Sequence, residues 1–266
     1  MMNKAQLQGL SIEQIRKHIR DGAYTGDTMG VADGHVQANL VVLPKEVAFD
    51  FLVFCQRNPK PCPLLDVTLP GSPVPELLAP GADIRTDIPR YRVFRHGELV
   101  DEPTDIQSYW RDDLVAFLLG CSATFDNALR NAHMPLRFLD QDTIPPVFVT
   151  NVQCRKAGSF HGPIVATMRP IPNDLVVKAV QLSGRFPSAH GTPIQIGYPE
   201  RIGVSDLSNP DYGTPLPLKP SEVPVFWACG VTPQSVAMAS RTEWMITHAP
   251  GHMFLSDRHY EQDAVV

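Results

Sequence analysis

Two short segments of the chain each place a cysteine three residues before a threonine, just ahead of a predicted helix. They are Gly120-Cys-Ser-Ala-Thr-Phe-Asp126 and Phe226-Trp-Ala-Cys-Gly-Val-Thr-Pro-Gln234. The N-terminus of a helix presents unpaired N–H groups and partial positive charge, which favour a carboxylate and can lower the pKa of a thiol. We therefore predict that Cys121 and Cys229 lie in anion-binding turns, with Cys121 or Asp126 as a proton donor. Buried, inert thiols beside tight turns are the alternative.

The second segment also carries polar groups that could contact a ligand. Thr232 followed by Pro233 is typical of a helix start, with threonine as the N-cap and proline at the first helical position. We predict that Cys229, Thr232 and Gln234 contact the substrate there.

A pair of histidines follows a short apolar stretch near the C-terminus, in Thr247-His-Ala-Pro-Gly-His252. The Pro-Gly between them prevents a helix with both rings on one face, so a zinc-protease arrangement is excluded. Histidine in such a loop suits proton transfer. We predict His248 as the general base and His252 as a binding residue; the alternative is ordinary hydrogen-bonded loop histidines.

Three further side chains could bind a carboxylate. Arg85 lies in a loop, and Arg169 ends an apolar strand, where it needs either a protein carboxylate or an anionic ligand as its partner. Asn58 opens the proline-locked segment Asn58-Pro-Lys-Pro-Cys-Pro63, in which it and Lys60 are either rigidly displayed ligand groups or turn residues.

The elements that must position these residues are of mixed type. Hydrophobic periodicity and turn residues predict a helix from Ile12, which follows the capping box Ser11-Ile-Glu-Gln14, and further helices at 44–57, 109–119, 122–132 and 174–183. The predicted strands lie at 36–43, 64–69, 91–95, 98–100, 147–152, 164–169, 193–197, 223–228 and 245–247. The short strands after residue 147 predict a smaller α+β domain at 147–220, and residues 1–146 plus 221–266 form the main α/β domain.

Composition narrows the class of protein. The chain has a net charge of -5 and five cysteines, with no basic stripe, no apolar run long enough to span a bilayer and no apolar signal core at its start. We therefore expect a cytoplasmic protein with free thiols that binds neither nucleic acid nor membrane. No nucleotide-binding motif is present, so we expect no cofactor and predict no metal ligands, although a divalent metal and a homodimer both remain open.

Several long segments resemble one family. They are GHVQANLVVLP, DFLVFCQRNPKPCPLL, ADIRTDIPRYRVFRHGELV, DDLVAFLLGCS, GPIVATMRP, VPVFWACGVTPQ and ITHAPGHMF. Over nearly its whole length the chain is similar to the D-glutamate cyclase-like family. The resemblance implies a two-domain α/β fold, with a three-layer α/β/α main domain and a smaller two-layer α+β domain. It also implies a hydro-lyase that removes water from D-glutamate to give 5-oxo-D-proline.

The resemblance leaves the substrate open. Family members read Gly-Cys-Ser-Phe-Thr-Phe-Glu at the first thiol turn, where this chain has Ala123 and Asp126, so the substrate is D-glutamate or another small amino or hydroxy acid. A non-catalytic protein that binds small carboxylates would need the same turns, and a purely structural role is a third alternative. For an enzyme, we expect Cys121, Cys229 and His248 to line one cleft, and replacing His248 by alanine to slow turnover ~10²-fold with little change in melting temperature.

Overall fold

The computed structural model describes residues 1–265, which form an α/β fold with two antiparallel sheets. The helices are α1 (Lys4–Leu7), α2 (Ile12–Arg20), α3 (Lys45–Arg57), α4 (Ala123–Asn131), α5 (Arg137–Asp140), α6 (Val176–Gly184) and α7 (Thr232–Ser240). The strands are β1 (His35–Pro44), β2 (Leu64–Val67), β3 (Tyr91–Arg95), β4 (Glu98–Asp101), β5 (Leu114–Gly120), β6 (Val147–Gln153), β7 (Pro163–Pro172), β8 (Gln195–Ile196), β9 (Glu222–Ala228), β10 (Trp244–His248) and β11 (Phe254–His259).

The larger sheet has the order β2-β5-β1-β10-β3-β4, and β11 also pairs with β1. Its central strand β1 is apolar and buried along nearly its whole length, as expected for a strand covered on both faces. Both β5 and β10 run antiparallel to β1, with Gly120 opposite Ala38 and Thr247 opposite Val41. The C-terminal ends of β5 and β10 therefore lie toward the same end of the sheet.

Alternate residues of β1 enter two different cores. Val41 and Leu43 pack on the side of α3 with Phe51, whereas Leu40 and Val42 pack on the opposite side with residues from the long loops between β2 and β5. This two-sided burial fixes the register of β1, because a slip of one residue would exchange its two faces.

The apolar spacing of segment 109–119 had suggested a helix. In the structure this segment instead leads into strand β5. All seven residues of β5 are buried, because β1 and β2 flank it in the sheet and both of its faces are covered. A short, continuous apolar run does not distinguish a buried strand from a buried helix. As a result, Cys121 follows a strand and precedes a helix, just as Cys229 does.

The smaller sheet has the order β6-β7-β9-β8. Strand β9 pairs with β7 along its whole length, with Trp227 opposite Thr167, and so belongs to the smaller sheet. Its apolar pattern identifies a buried strand but not the sheet that contains it. The predicted boundary at residue 220 separates β9 from its own sheet, while the division of the chain into two domains stays a prediction.

None of the helices within residues 1–265 is both long enough and apolar enough to cross a membrane.

Candidate functional site

The two thiol turns meet where the two sheets come together. The side-chain amide of Asn39, in the centre of β1, donates to the carbonyl of Gly120 at 2.6 Å. The same amide lies against Gly230, where an added Cβ would collide with it. One side chain therefore contacts the turn that carries Cys121 and the turn that carries Cys229, and glycine at 230 permits this close approach.

The shared Cys-x-x-Thr spacing corresponds to a shared turn structure. The backbone N–H of Thr124 donates to the carbonyl of Cys121 at 3.0 Å, and that of Thr232 donates to the carbonyl of Cys229 at 3.0 Å. Each threonine hydroxyl also accepts from a backbone N–H of a neighbouring strand, β1 at 3.4 Å for Thr124 and β7 at 3.1 Å for Thr232. The two turns thus fasten their helices, α4 and α7, to different sheets in the same way.

Thr232 is the first residue of α7 and not its N-cap, which is Val231. Its hydroxyl donates to the carbonyl of Cys229 at 2.7 Å and accepts from β7. The hydroxyl of Thr232 therefore stabilises the turn, and the substrate contact that we predicted for it stays a prediction.

Both thiols have raised pKa values. Burial raises the pKa of Cys121 to about 12, and burial also raises the pKa of Cys229, although nearby N–H groups and Arg169 act in the opposite direction. The lowered values expected for helix starts were wrong, because loss of solvation outweighs the helix N–H groups here. At neutral pH both groups are protonated thiols, which can donate a proton but are poor nucleophiles.

We expect alkylation of the native protein to select Cys229. Within residues 1–265, which contain all five cysteines, every thiol is free; four are buried and Cys229 keeps part of its surface exposed. Because its pKa is raised and the thiolate is the reactive form, iodoacetamide should react slowly at neutral pH, and the rate should still rise with pH above the ordinary thiol range near ~8.5. Peptide mapping by mass spectrometry measures which cysteine is labelled and how the labelling rate changes with pH. Fast labelling of Cys121 at neutral pH would contradict the burial described here.

A buried ion pair joins the first thiol turn to the smaller sheet. The guanidinium of Arg169, which is 1% exposed, donates to both carboxylate oxygens of Asp126 at 2.8 and 2.6 Å and to the hydroxyl of Ser122 at 3.0 Å. It also lies over three aromatic rings, those of Phe125, Phe138 and Trp227. Arg169 therefore has the protein partner that a buried arginine requires.

This pairing changes the role of Asp126. The pKa of Asp126 is raised, because burial outweighs the opposing charge of Arg169, yet both carboxylate oxygens accept from the guanidinium, which is the geometry of an ionised group. Asp126 thus holds Arg169 in place and is not the proton donor that we predicted as one alternative.

Three buried polar atoms close to this pair have no hydrogen-bond partner within residues 1–265: Thr167 Oγ1, Arg169 Nη1 and His190 Nε2. Thr167 and Arg169 lie two residues apart on β7, so their side chains share the face that meets α4. His190 is close enough for the charge of Arg169 to lower its pKa. Buried polar groups are nearly always paired, so each of these three atoms is a candidate contact for a polar ligand.

His248 is not suited to be the base. Its Nδ1 lies 3.2 Å from the backbone nitrogen of Leu40 and 3.5 Å from the carbonyl oxygen of the same residue, so the backbone of β1 occupies this ring nitrogen. Burial lowers the pKa of His248 to about 3. Gln234 donates to the carbonyl of His248 at 2.8 Å and accepts from Arg92 at 3.2 Å, so Gln234 connects α7 to β10 and β3.

Replacing His248 by alanine should therefore lower stability, contrary to our expectation of little change in melting temperature. The change leaves the N–H of Leu40 buried without its side-chain partner, which costs about 1–3 kcal/mol. Urea unfolding measures the loss, with His252→Ala as the control, because the Nδ1 of that partly exposed ring bonds only to the nearby carbonyl of Pro250. An unchanged unfolding midpoint combined with a ~10²-fold loss of turnover would restore His248 as the base.

The partly exposed side of the junction carries two residues that sequence reasoning missed. Tyr212 packs beside Cys229, and the guanidinium of Arg92 lies 5.7 Å from the centre of the Tyr212 ring while bonding to Glu102 at 2.9 Å. His252 is also partly exposed, and burial lowers its pKa. No local motif marks Arg92 or Tyr212, which lie in a hairpin strand and a loop.

Two predicted binding residues lie elsewhere. Arg85 pairs with Asp83 at 2.7 Å and makes no side-chain hydrogen bond to the junction within residues 1–265. The amide of Asn58 donates to the carbonyls of Phe54 and Arg155, each at 2.8 Å, and accepts from the N–H of Arg155 at 2.7 Å. Both of their side chains serve the fold in this structure, so neither is placed as a substrate-binding residue.

The junction therefore brings Cys121, Cys229, Asp126 and Arg169 together, and Gln234 connects it to His248. That Cys121, Cys229 and His248 line one cleft stays a prediction. Within the described residues 1–265, no three or more His, Cys, Asp or Glu side chains are arranged to hold a metal ion.

Known proteins are similar to the chain over most of its length. A family model described as D-glutamate cyclase matches residues 115–257, which include both thiol turns and Arg169. The chain is 56% identical over 254 residues to "Putative hydro-lyase" of Bacillus licheniformis, covering 96% of this chain and 97% of the relative. It is 54% identical over 254 residues to "Putative hydro-lyase YcsI" of Bacillus subtilis, covering 96% and 99% respectively.

A relative from Stutzerimonas stutzeri, also named "Putative hydro-lyase", is 54% identical over 265 residues and is covered completely, as is this chain. Among solved structures, the chain is similar to a nitrogen repressor-like protein of Methanococcus jannaschii, with a TM-score of 0.38 and 11% identity, covering 94% of this chain and 97% of that one.

Proposed function

This chain belongs to the D-glutamate cyclase family, and from that premise we propose that it is a hydro-lyase that closes D-glutamate to 5-oxo-D-proline. Full-length relatives named as hydro-lyases support the class of enzyme. The observation that carries the proposal for the site is the buried Nη1 of Arg169, which has no partner within residues 1–265 and whose charge lowers the pKa of both Cys121 and Cys229.

The reaction makes one bond and breaks one. The amine nitrogen attacks the γ-carboxyl carbon, a nitrogen–carbon bond forms, and one carboxyl oxygen leaves as water. Relative to the ammonium form of the substrate, the nitrogen loses two protons and the departing oxygen gains two, so no oxidant, reductant or other reactant is consumed. The site must therefore hold two carboxylates, accept protons from nitrogen and deliver protons to oxygen.

The residues of the junction match these needs. Arg169 can bind one carboxylate through Nη1, because Asp126 occupies its other edge and keeps it oriented. The neutral thiol of Cys121 is a proton donor for the departing oxygen, and it regains a proton from solvent afterwards. Arg92, at the partly exposed side next to Tyr212, can bind the second carboxylate and gives the substrate an entry beside Cys229.

Incubation of the purified protein with single acids tests the proposal. The set is D-glutamate, L-glutamate, D-aspartate and a 2-hydroxy acid, with mass spectrometry for loss of one water and a reaction without protein as the control. We expect loss of water from D-glutamate above the control rate. Thermal stabilisation by these acids without any turnover would instead identify a non-catalytic carboxylate-binding protein.

A further inference from the structure

His190 lies in a loop that packs directly on the first thiol turn. The loop crosses so close to Gly120 that a Cβ there would collide with the carbonyl of Ser188. His190 itself is 1% exposed and has a left-handed backbone with φ of 75°. A non-glycine residue in that conformation is strained, so the surrounding structure must hold it there.

Lys60 holds His190 in place through both its backbone carbonyl and its side-chain ammonium. Its carbonyl accepts from His190 Nδ1 at 2.7 Å, and its ammonium donates to the carbonyl of His190 at 3.1 Å and to that of Thr192 at 2.5 Å. Because a carbonyl can only accept, Nδ1 carries the ring proton. Nε2 is therefore an unprotonated acceptor, and it is the atom that has no partner within the described residues.

The proline-locked segment explains how Lys60 keeps its position. Prolines fix the backbone on both sides of Lys60, and the amide of Asn58 fastens the start of the segment to Arg155. The sequence allowed two roles for this segment, ligand binding or turn formation. In the structure it presents a rigid carbonyl and an ammonium to one histidine.

We propose that His190 is a catalytic residue whose Nε2 accepts a proton from the substrate nitrogen, and that Lys60 is the residue that positions it. The inference rests on the proposed cyclisation. The substrate ammonium first releases one proton to solvent, and as the nitrogen–carbon bond forms the nitrogen becomes acidic and passes its second surplus proton to Nε2. The imidazolium then gives that proton to the departing oxygen, whose second proton comes from Cys121.

What distinguishes His190 from His248 is its free Nε2 and not its pKa, since burial makes both rings weak bases. Burial lowers the pKa of His190 to about 4, and the positive charges of Lys60 and Arg169, the charged groups that face it, disfavour the protonated ring further. The ring is therefore unprotonated at neutral pH. Protonation blocks Nε2 only as pH falls through about 4, so the activity that depends on this residue should be lost there.

The test uses His190→Asn, because asparagine tolerates a left-handed backbone. The matched control is His133→Asn, an exposed histidine that also has a positive φ, of 57°. We expect His190→Asn to lower kcat on D-glutamate by ~10²-fold or more, with the loss of activity near pH 4 abolished and the melting temperature nearly kept. Lys60→Met should lower kcat less, because it keeps the carbonyl that accepts from Nδ1.

Two measurements separate failure of this inference from failure of the proposed function. Nitrogen-15 NMR of the free protein should show His190 with its proton on Nδ1 and no titration near pH 6.5; the opposite tautomer would overturn the inference whatever the substrate is. Wild-type turnover that His190→Asn leaves unchanged would overturn it as well. A wild-type protein that releases no water from any tested acid overturns the proposed function and, with it, the catalytic role of His190.

Discussion

Replacing Arg169 by methionine should abolish turnover of D-glutamate and lower the free energy of unfolding by about 3–5 kcal/mol. Stability should fall because Asp126 would remain buried without the two guanidinium bonds that compensate its charge in the wild-type protein. Turnover should fall because Nη1 is the group that we propose binds a substrate carboxylate. Urea unfolding and kcat/KM measure the two effects.

A double variant separates structure from function at this pair. Arg169→Met combined with Asp126→Leu removes both charges, and replacing a buried ion pair by apolar side chains is often neutral or stabilising. We expect the double variant to recover most of the lost stability and none of the activity. Recovery of activity together with stability would mean that Arg169 serves the fold alone.

Replacing Cys121 by serine should lower kcat by ~10²- to 10⁴-fold with a small change in melting temperature. Serine has nearly the shape of cysteine, but its hydroxyl is a much weaker acid than the thiol and cannot deliver a proton to the departing oxygen as readily. Cys154→Ser is the matched control, because burial raises the pKa of that thiol to about 12 as well, while Cys154 packs in a different part of the core.

The pH profile adds a check on the same thiol. A proton donor with a pKa raised to about 12 stays protonated throughout the neutral range, so activity should not decline between pH 7 and 9 through this group. If Cys121→Ser and Cys154→Ser have equal, small effects on kcat, Cys121 is an inert core residue and the proton comes from elsewhere.

The sequence predicted the local features of the site well. The turns at Cys121 and Cys229 and the helices that follow them could be predicted from short-range spacing, because glycine, proline and other turn residues act over a few positions. It also identified Arg169 as an arginine in need of a partner, and Asp126 as a nearby acid. That these two meet depends on how the smaller sheet packs against α4, which spacing does not encode.

Burial explains most of the differences between what the sequence predicted and what the structure shows. Two of our expectations hold only for groups that solvent reaches: that a helix start lowers the pKa of a thiol, and that a loop histidine titrates near neutrality. Cys121 and His248 are both buried. Their protonation states follow from the packing of the whole chain. Short-range sequence patterns carry little of that information.

Residues whose roles depend on long-range contacts could not be identified from the sequence. Asn39 contacts both thiol turns from a strand that is otherwise apolar, and His190 depends on Lys60, which is far away in the sequence. Strand β9 has the pattern of a main-sheet strand but pairs with β7. In each case a long-range contact determines the result, and one sequence does not reveal which residues form it.

The measurement that tests the account most directly is a proton NMR time course of D-glutamate with the wild-type protein and with the Arg169→Met/Asp126→Leu variant, beside a tube without protein. The account predicts that 5-oxo-D-proline appears as D-glutamate disappears with the wild type, and that the variant, folded by its unfolding curve, matches the tube without protein. Equal product in all three tubes, or equal activity of the wild type and the variant, would contradict it.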